Sequence, residues 1–242
     1  MQNQPSSPPK PVTDWWRPDL VKLPRLTVGR RSFRVFARGL AKAVVFVTMN
    51  STVTGLENFP KQGPALIVIN HLGDADVVLL AASIPTTIDG MGKIELNEHW
   101  LVGPLFRAYG IIFVHRGRPD RKAIRAALEG LAEGRMIALA PEGRQAVAGK
   151  LEEGTEGAAF LAMKSGALIV PVAMTGTENE NMYNRKWWRR ARVTLSVGRP
   201  FQLPKQAESG AAGVPKGQML REGTSQIMEA LASLLPESYR GN

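Results

Sequence analysis

The sequence contains no cysteine, which excludes disulfide bonds and thiol nucleophiles. It has only three histidines. These are scattered, and no His/Asp/Glu set has the spacing of a zinc site, so we expect no bound metal. It also lacks a glycine-rich Walker loop, a dinucleotide fingerprint and a Gly-x-Ser-x-Gly elbow. We therefore expect chemistry carried by histidine, carboxylates and cations, with no cofactor.

Long apolar runs and acidic residues are also scarce. No run approaches the ~20 apolar residues that span a bilayer, and the polar, proline-rich residues 1–11 do not predict a secretory signal. The 31 Lys and Arg outnumber the 21 Asp and Glu, giving a formal charge of +10 and a pI near 10.2. This balance favours an anionic partner, such as a membrane surface, a nucleic acid or a phosphorylated substrate.

The chain is long enough to bury the core of one domain, with 242 residues of which 44% are hydrophobic. From about residue 50, short apolar runs alternate with helical patterns, which predicts an α/β fold. We expect a single domain with a mixed, mainly parallel sheet flanked by helices. The predicted divisions are a mostly disordered lead-in at 1–28, an amphipathic basic helix at 29–50, and the α/β domain with a C-terminal helix at 51–242.

The predicted helix at 29–50 has a basic side and an apolar side. The basic side carries Arg30, Arg34, Arg38 and Lys42, and the apolar side carries Phe33, Phe36, Leu40, Val44 and Val47. Such a helix is typical of one that lies in a membrane interface, where each cation near an anionic leaflet contributes ~1 kcal/mol. An ordinary surface helix with its apolar side on the core fits the pattern equally well.

Two tryptophan pairs are further candidates for lipid contact. Trp15 and Trp16 suit either docking on the domain, which we favour, or anchoring at a lipid interface. Trp187 and Trp188 lie among five cations in residues 182–193, a mixture that suits lipid headgroups. RNA binding by stacking, or an exposed charged hairpin with a packed tryptophan, are the alternatives at that segment.

The stretch that carries candidate chemistry follows a buried strand predicted at 65–69. That strand leads to Asn70 and His71, with Asp74 and Asp76 close behind. A histidine at a strand end beside a carboxylate predicts a general base held in orientation by an acidic partner. A polar turn in which an aspartate caps the next helix is the alternative, and the residues alone leave it open.

Cations follow the other predicted strands at Lys93, Arg116 and Arg144. Because the carboxyl ends of parallel strands meet at one edge of a sheet, we expect these cations to converge beside His71. Arginine binds phosphate oxygens in pairs, so an anionic, phosphorylated substrate is expected. His115 adjoins Arg116 but alternates away from it if the strand continues, and we interpret it as a spectator.

The residues from Asn70 to Asp76 resemble the Asn-His-x4-Asp block of the glycerolipid acyltransferases, the 1-acyl-glycerol-3-phosphate acyltransferase family. Three further blocks follow in that family's order, at residues 110–116, 141–143 and 169–172. Lys93 is similar to the lysine that the family carries between its first two blocks, and the resemblance covers about residues 35–205. The third block departs from the usual Pro-Glu-Gly-Thr-Arg-Ser, because Gln145 stands where the family has arginine.

The resemblance implies transfer of a fatty acyl group from an acyl thioester to the hydroxyl of lysophosphatidic acid, giving phosphatidic acid in phospholipid biosynthesis. His71 would be the general base and Asp76, rather than Asp74, its orienting partner. The expected route is direct transfer with no acyl-enzyme. Backbone N–H groups near the start of the helix after His71 are expected to stabilise the oxyanion.

The resemblance also implies roles for the charged residues at the other strand ends. Lys93, Arg116 and Arg144 would bind the acceptor phosphate, and Glu142 with Gly143 would position the acceptor. Arg144 stands one position before the family's usual arginine.

The expected partners are a membrane lipid surface and a donor that is either acyl-CoA or acyl-carrier protein, with no nucleic acid. We expect a peripheral membrane protein on the cytoplasmic face of the cell membrane. Glycerol 3-phosphate, or another lysolipid or glycolipid, is the alternative acceptor. The alternatives of a different class are a non-catalytic basic membrane-binding module, against which the intact first block argues, and nucleic-acid binding, which only the charge supports.

Overall fold

The structure is a computed structural model that describes residues 12–13, 16–117, 119–186, 188–205 and 215–241. The strands are β1 Met49–Thr54, β2 Ala65–Ile69, β3 Asp89–Lys93, β4 Ile112–Val114, β5 Met136–Leu139, β6 Leu168–Thr175 and β7 Ala191–Val197. The helices are α1 Val28–Thr48, α2 Ala75–Ser83, α3 Val102–Tyr109, α4 Arg121–Ala132, α5 Gly157–Ser165, α6 Asn179–Tyr183 and α7 Lys216–Leu234. Short 3-10 helices lie at Leu56–Asn58, Ile94–Asn97 and Glu237–Tyr239.

The seven strands of the described residues form one sheet in the order β1-β7-β6-β2-β5-β3-β4. Strands β6, β2, β5, β3 and β4 run parallel to one another. Strand β7 is antiparallel to β6, and β1 is parallel to β7. This topology confirms the predicted α/β fold with a mixed, mainly parallel sheet. It also places the carboxyl ends of β2, β5, β3 and β4 at one edge, here called the carboxyl edge.

The sheet separates two apolar layers. In β2, Ile67 and Ile69 pack in the layer that includes α1 and α2, whereas Leu66 and Val68 pack in the layer that includes α4, α5 and α7. This alternation follows from the two-residue period of a strand. A strand covered on both faces therefore has apolar residues at every position, which is why residues 65–69 were recognisable from sequence.

Helix α1 begins one residue earlier than predicted and ends two residues earlier. Thr27 caps it, because its Oγ1 accepts a hydrogen bond from the backbone N–H of Arg30 at 3.3 Å. Met49 and Asn50, which we predicted to be helical, are instead the first residues of β1. That edge strand was not predicted, because its pairing partner β7 lies more than a hundred residues away along the chain.

Three of the four cations on the basic side of α1, Arg30, Arg34 and Arg38, turn towards the protein, whereas Lys42 is exposed. Arg34 is only 3% exposed and donates to the backbone oxygens of Tyr109 and Gly110 at 2.8 and 2.9 Å, and to Asp89 Oδ1 at 2.5 Å. Arg30 donates to backbone oxygens in the last turn of α3. Helix C-terminal carbonyls lack intrahelical partners and attract cations. The assignment of Arg30 and Arg34 to a membrane interface is therefore wrong.

The opposite side of α1 is apolar and faces outward. We call this surface the α1 apolar face; its members, all more than half exposed, are Val35, Phe36, Leu40, Phe46 and Val47. Phe33 is half-buried. The Arg190 guanidinium lies 4.9 Å from the centroid of the Phe46 ring, which brings the chain just before β7 beside this face. Trp188 in that stretch is exposed, and Trp187 lies outside the described residues.

The predicted lead-in at 1–28 falls partly outside the described residues, and so does Trp15. From residue 16 onward the described chain runs along the domain, with Val21 buried against Ile94 and Phe113. Trp16 lies on the domain, stacked on His115. Within the described ranges, no helix combines the length and the apolar character needed to cross a bilayer.

Candidate active site

The candidate site begins where β2 leaves the sheet. Asn70 is buried, and its side chain exchanges two hydrogen bonds with the backbone of Met174 in β6, at 2.9 and 2.7 Å. These bonds take the place of the next step of the β2–β6 ladder, and they fix the point at which the chain turns. His71 follows directly and is therefore held at the carboxyl edge.

His71 and Asp76 form a hydrogen-bonded pair, with 2.8 Å between Nδ1 and Oδ2. An ionised carboxylate can only accept, so Nδ1 carries the proton and Nε2 is the unprotonated nitrogen. The imidazole is 17% exposed, and in the described part of the chain Nε2 has no hydrogen-bond partner. The geometry leaves one imidazole nitrogen open to take a proton.

Asp76 is fully buried in the first turn of α2, so the chain from His71 must loop back towards it. The backbone N–H groups of Leu72 and Gly73 donate to the same Oδ2 atom, at 2.7 and 3.0 Å. Three donors therefore hold one carboxylate oxygen in place. This contact pairs Asp76 with His71, as the resemblance implied.

Asp74 takes no part in this pairing and makes no side-chain cap of α2. Its backbone N–H donates to Asn179 Oδ1 at 2.9 Å, and its Oδ1 accepts from Gln145 Nε2 at 2.8 Å. Gln145, the residue that replaces the usual arginine of the third block, therefore bridges to the first block through a neutral amide.

Glu142 lies behind His71 and binds two main-chain N–H groups. It is fully buried; Oε1 accepts from the backbone N–H of His71 at 3.0 Å, and Oε2 accepts from that of Glu152 at 2.8 Å. Burial raises the pKa of Glu142 to about 7. Oε1 thus holds the His71 main chain and Oε2 holds that of Glu152, so these contacts are structural, and the acceptor-positioning role of Glu142 stays a prediction. Gly143, at φ +76°, forms the turn that follows it.

The backbone N–H groups of this turn are not available to an oxyanion. Those of Leu72 and Gly73 donate to Asp76, that of His71 donates to Glu142, and that of Asp74 donates to Asn179. The expectation that N–H groups near the start of α2 stabilise the oxyanion is wrong for these four residues. These bonds fix the main chain around the pair of His71 and Asp76.

Arg144 is also part of the scaffold. It is 6% exposed, and its Nε donates to Glu152 Oε2 at 2.6 Å. The other oxygen of Glu152 accepts from the backbone N–H of Val147 at 2.9 Å. A buried guanidinium that is paired with a carboxylate organises its own loop, and the phosphate-binding role of Arg144 stays a prediction.

Arg116 and Lys93 remain as cations at the carboxyl edge. Strands are spaced ~4.8 Å apart, so the end of β3 lies ~10 Å and that of β4 ~14 Å from the end of β2. Lys93 is exposed at the end of β3. Burial lowers the pKa of Arg116, and its guanidinium has no hydrogen bond or ion pair with any described residue. Side chains at the end of β2 and at the ends of β3 and β4 can therefore reach one small acceptor molecule that lies between them.

Sequence reasoning missed a second pair with the same spacing as His71 and Asp76. His115 Nδ1 lies 2.6 Å from Asp120 Oδ2, and the imidazole is fully buried. Its Nε2 accepts from the backbone N–H of Arg17 at 3.0 Å. Both ring nitrogens are occupied, so this pair cannot take a proton from a substrate. The His-x4-Asp spacing itself is the signal that could have revealed it.

The raised pKa of Glu142 predicts a pH-dependent stability. Its folded pKa of about 7 exceeds the ordinary 4.5. Its contribution is therefore fully present below pH ~4.5 and falls by up to ~3 kcal/mol as the pH rises through 7. The free energy of unfolding of the wild type minus that of Glu142→Gln should decrease over this range in denaturant titrations. A constant difference would mean that Glu142 ionises at its ordinary value.

Comparison with known proteins now adds to this geometry. The model of the family described as Acyltransferase matches residues 50–175, just over half of the chain. The chain belongs to the acyltransferase family. The matched region of the acyltransferase domain contains His71, Asp76, Lys93 and Arg116, whereas α1 and Trp188 lie outside it.

The chain is also similar to individual acyltransferases. The 1-acyl-sn-glycerol-3-phosphate acyltransferase of Borreliella burgdorferi is 32% identical over 130 residues, 52% of each chain. That of Bacillus subtilis is 23% identical over 82% of this chain and 95% of its own. The crystal structure of the 1-acyl-sn-glycerophosphate (LPA) acyltransferase PlsC from Thermotoga maritima superposes with a TM-score of 0.60 at 23% identity, covering 84% of both chains. The chain thus spans about half the length of the Borreliella relative, and the PlsC likeness shows the fold.

Proposed function

We propose that this acyltransferase moves a fatty acyl group from a thioester to the free hydroxyl of lysophosphatidic acid, forming phosphatidic acid. The observation that carries the proposal is the pair of His71 and Asp76 with an open Nε2 at the carboxyl edge. The names of the Borreliella and Bacillus relatives support the acceptor. A non-catalytic lipid-binding module has no need of a buried carboxylate that orients a partly exposed imidazole.

The mechanism is a direct transfer. His71 Nε2 takes the proton of the acceptor hydroxyl while that oxygen attacks the thioester carbonyl. The buried Asp76 carboxylate stabilises the imidazolium that forms. When the tetrahedral intermediate collapses, the C–S bond breaks and the leaving thiolate takes the proton from the imidazolium. Acyl-CoA or acyl-carrier protein supplies the thioester, and no cofactor is required.

The acceptor phosphate would lie towards Arg116 and Lys93. The Arg116 guanidinium is always protonated, and it is partly removed from water without a carboxylate in ion-pair contact among the described residues. An anion brought against it gains charge-assisted hydrogen bonds. Because the β4 end is ~14 Å from the β2 end, an acceptor can present its phosphate to Arg116 and its hydroxyl to His71.

Arg116→Ala tests the acceptor. Loss of its charge-assisted hydrogen bonds should raise the KM for lysophosphatidic acid roughly 10- to 100-fold and that for an unphosphorylated monoacylglycerol less than about threefold. Product formation is followed by mass spectrometry with acyl-CoA and acyl-carrier-protein donors. Arg221→Ala, at an exposed position of α7, is the control. Equal losses with both acceptors would remove Arg116 from the phosphate site, and no phosphatidic acid from the wild type would overturn the function.

The protein is further proposed to bind the cytoplasmic face of the cell membrane as a peripheral protein. Strand β1 runs opposite to β2, so the end of α1 that leads into Met49 lies at the carboxyl edge. The chain before Ala191, which contains Trp188 and Arg190, reaches the same edge. The α1 apolar face and an exposed tryptophan among cations thus flank the candidate active site, as suits a lipid substrate.

Phe36→Ser tests this membrane contact. Removing one aromatic side chain from a lipid-buried face costs about 1.5–3 kcal/mol, so the partition coefficient for anionic liposomes should fall roughly tenfold or more. Leu56→Ser is the control, because Leu56 is a partly exposed apolar residue just after β1, at the opposite edge of the sheet. Equal liposome sedimentation of the two variants would exclude the α1 apolar face as the contact surface.

A further inference from the structure

A segment that precedes α1 is fastened to the loop that carries Arg116. We call Val12, Thr13 and residues 16–21 the N-terminal strap. Thr13 is 3% exposed. Gly117, in the loop, has φ +85°, and a Cβ added there would come within 3 Å of Val12. The strap therefore lies directly on the loop, at a position where only glycine leaves room for it.

Thr13 makes hydrogen bonds to both the carbonyl oxygen and the N–H group of Arg116. The Thr13 N–H donates to the Arg116 carbonyl oxygen at 3.1 Å, and the Arg116 N–H donates to Thr13 Oγ1 at 2.9 Å. Two opposed hydrogen bonds to one residue restrict both its position and its rotation. Loss of the hydroxyl would leave the Arg116 N–H, in a partly buried place, without its acceptor.

The next residues of the strap hold His115. The backbone N–H of Arg17 donates to His115 Nε2 at 3.0 Å, and the Trp16 ring stacks on the imidazole at 4.1 Å between centroids. From the other side, Asp120 Oδ2 accepts from both the N–H and the Nδ1 of His115, at 3.0 and 2.6 Å. The residue immediately before Arg116 is thus clamped between the strap and Asp120.

Asp120 is itself fixed to a rigid element. Its Oδ1 accepts from the backbone N–H groups of Lys122 and Ala123, at 3.0 and 3.1 Å, and so caps α4. The strap, His115, Asp120 and α4 form one connected network around the end of β4. This network ends at Arg116, whose guanidinium has no hydrogen-bond or ion-pair partner among the described residues.

We propose that Thr13 and Trp16 are positioning residues of the phosphate site. They hold the Arg116 main chain so that its guanidinium stays where an acceptor phosphate binds. The inference rests on the proposed function, because it needs Arg116 to contact the acceptor. Since no described carboxylate holds the Arg116 side chain by an ion pair, its placement depends on where its backbone is fixed. Fixing the backbone in advance removes an ordering cost that acceptor binding would otherwise carry.

The test compares Thr13→Val with Thr13→Ser in the full-length protein. Thr13→Val keeps the size of the side chain but removes its acceptor, and it should raise the KM for lysophosphatidic acid roughly fivefold or more while kcat changes less than twofold. Thr13→Ser retains the hydroxyl and should restore KM to within about twofold. Thr52→Val, on the opposite edge strand β1, is the matched control. A fall in kcat with KM unchanged, or no rescue by serine, would overturn the proposal.

The decisive comparison combines each strap variant with Arg116→Ala in a double-mutant cycle. If the strap acts through Arg116, Thr13→Val should have no further effect on KM once Arg116 is alanine. If Thr13→Val still raised KM by the same factor in the Arg116→Ala background, the positioning role would be overturned. The proposal that Arg116 binds phosphate would not be affected. If Arg116→Ala alone does not discriminate phosphorylated from unphosphorylated acceptors, the phosphate site fails first, and the positioning role fails with it.

Trp16→Leu provides a second route should Thr13→Val fold poorly. It removes the stack on His115 but keeps an apolar side chain over the imidazole. A KM increase of roughly threefold or more for lysophosphatidic acid is expected, with the KM for monoacylglycerol unchanged. Equal KM increases for both acceptors would assign the strap a general structural role and contradict the proposal.

Discussion

His71→Ala is expected to lower kcat for phosphatidic acid formation by roughly 10³-fold, since a positioned general base contributes 10²- to 10⁴-fold. With Nδ1 bound to Asp76 at 2.8 Å, the open Nε2 is the atom that we propose takes the proton of the acceptor hydroxyl. Radiolabelled lysophosphatidic acid with acyl-CoA gives the direct measurement. KM and liposome binding should change little, because the imidazole acts on the hydroxyl and not on the phosphate or the membrane.

A matched control at another histidine separates the fall in kcat of His71→Ala from a general loss of folding. His99 is exposed and lies outside the site; its Nδ1 accepts from the backbone N–H groups of Leu101 and Val102 at the start of α3. His99→Ala should therefore cost some thermal stability while kcat stays within about threefold of the wild type. Equal turnover in His71→Ala and the wild type would eliminate His71 as the base.

Asp76→Asn is expected to lower kcat by roughly 10²- to 10³-fold with His71 still in place. Two backbone N–H groups, from Leu72 and Gly73, point at Oδ2, so the amide oxygen of asparagine must occupy that position. The hydrogen bond from His71 Nδ1 is then retained, and the variant loses only the negative charge that stabilises the imidazolium. The amide nitrogen would occupy the buried Oδ1 position, which has no hydrogen-bond partner among the described residues.

Asp74→Asn is the matched control for removing the negative charge of Asp76. Its side chain bonds Gln145 and does not contact His71, so kcat should stay within about threefold of the wild type. An unchanged kcat in Asp76→Asn would refute the charge-stabilising role.

The orientation of α1 could not be derived from the sequence. The four-residue spacing of Arg30, Arg34 and Arg38 indicated a helix with two faces, but periodicity defines two faces without saying what lies against each. The helix packs where α3 ends in unpaired carbonyl oxygens and where Asp89 is buried, so the cations face inward. The apolar face is consequently the exposed one. Apart from the Arg25 carbonyl oxygen, which also accepts from Arg30, the side-chain hydrogen-bond partners of these arginines lie more than forty residues away along the chain.

The third block was predicted to bind substrate, and the contacts that Glu142 and Arg144 make in the structure are with neighbouring protein groups. Its sequence places Glu142 and Arg144 after a buried strand, and that position was correct. The contacts that decide their roles come from Glu152 and from the His71 main chain. A local pattern shows that a charged residue stands at a strand end, whereas burial and partners determine whether it meets substrate or holds another residue.

The sequence by itself determined the α/β class, the four ordered blocks and the strand ends that carry His71, Lys93 and Arg116, because strand periodicity and short motifs are local properties. Only the tertiary structure decided which of two equally spaced His-x4-Asp pairs is open. The contacts of 2.8 and 2.6 Å are nearly the same, but His115 is covered by Trp16 and accepts from Arg17, whereas the Nε2 of His71 is open. Spacing sets the hydrogen bond between histidine and aspartate. Access to the second nitrogen depends on which distant segment packs against it.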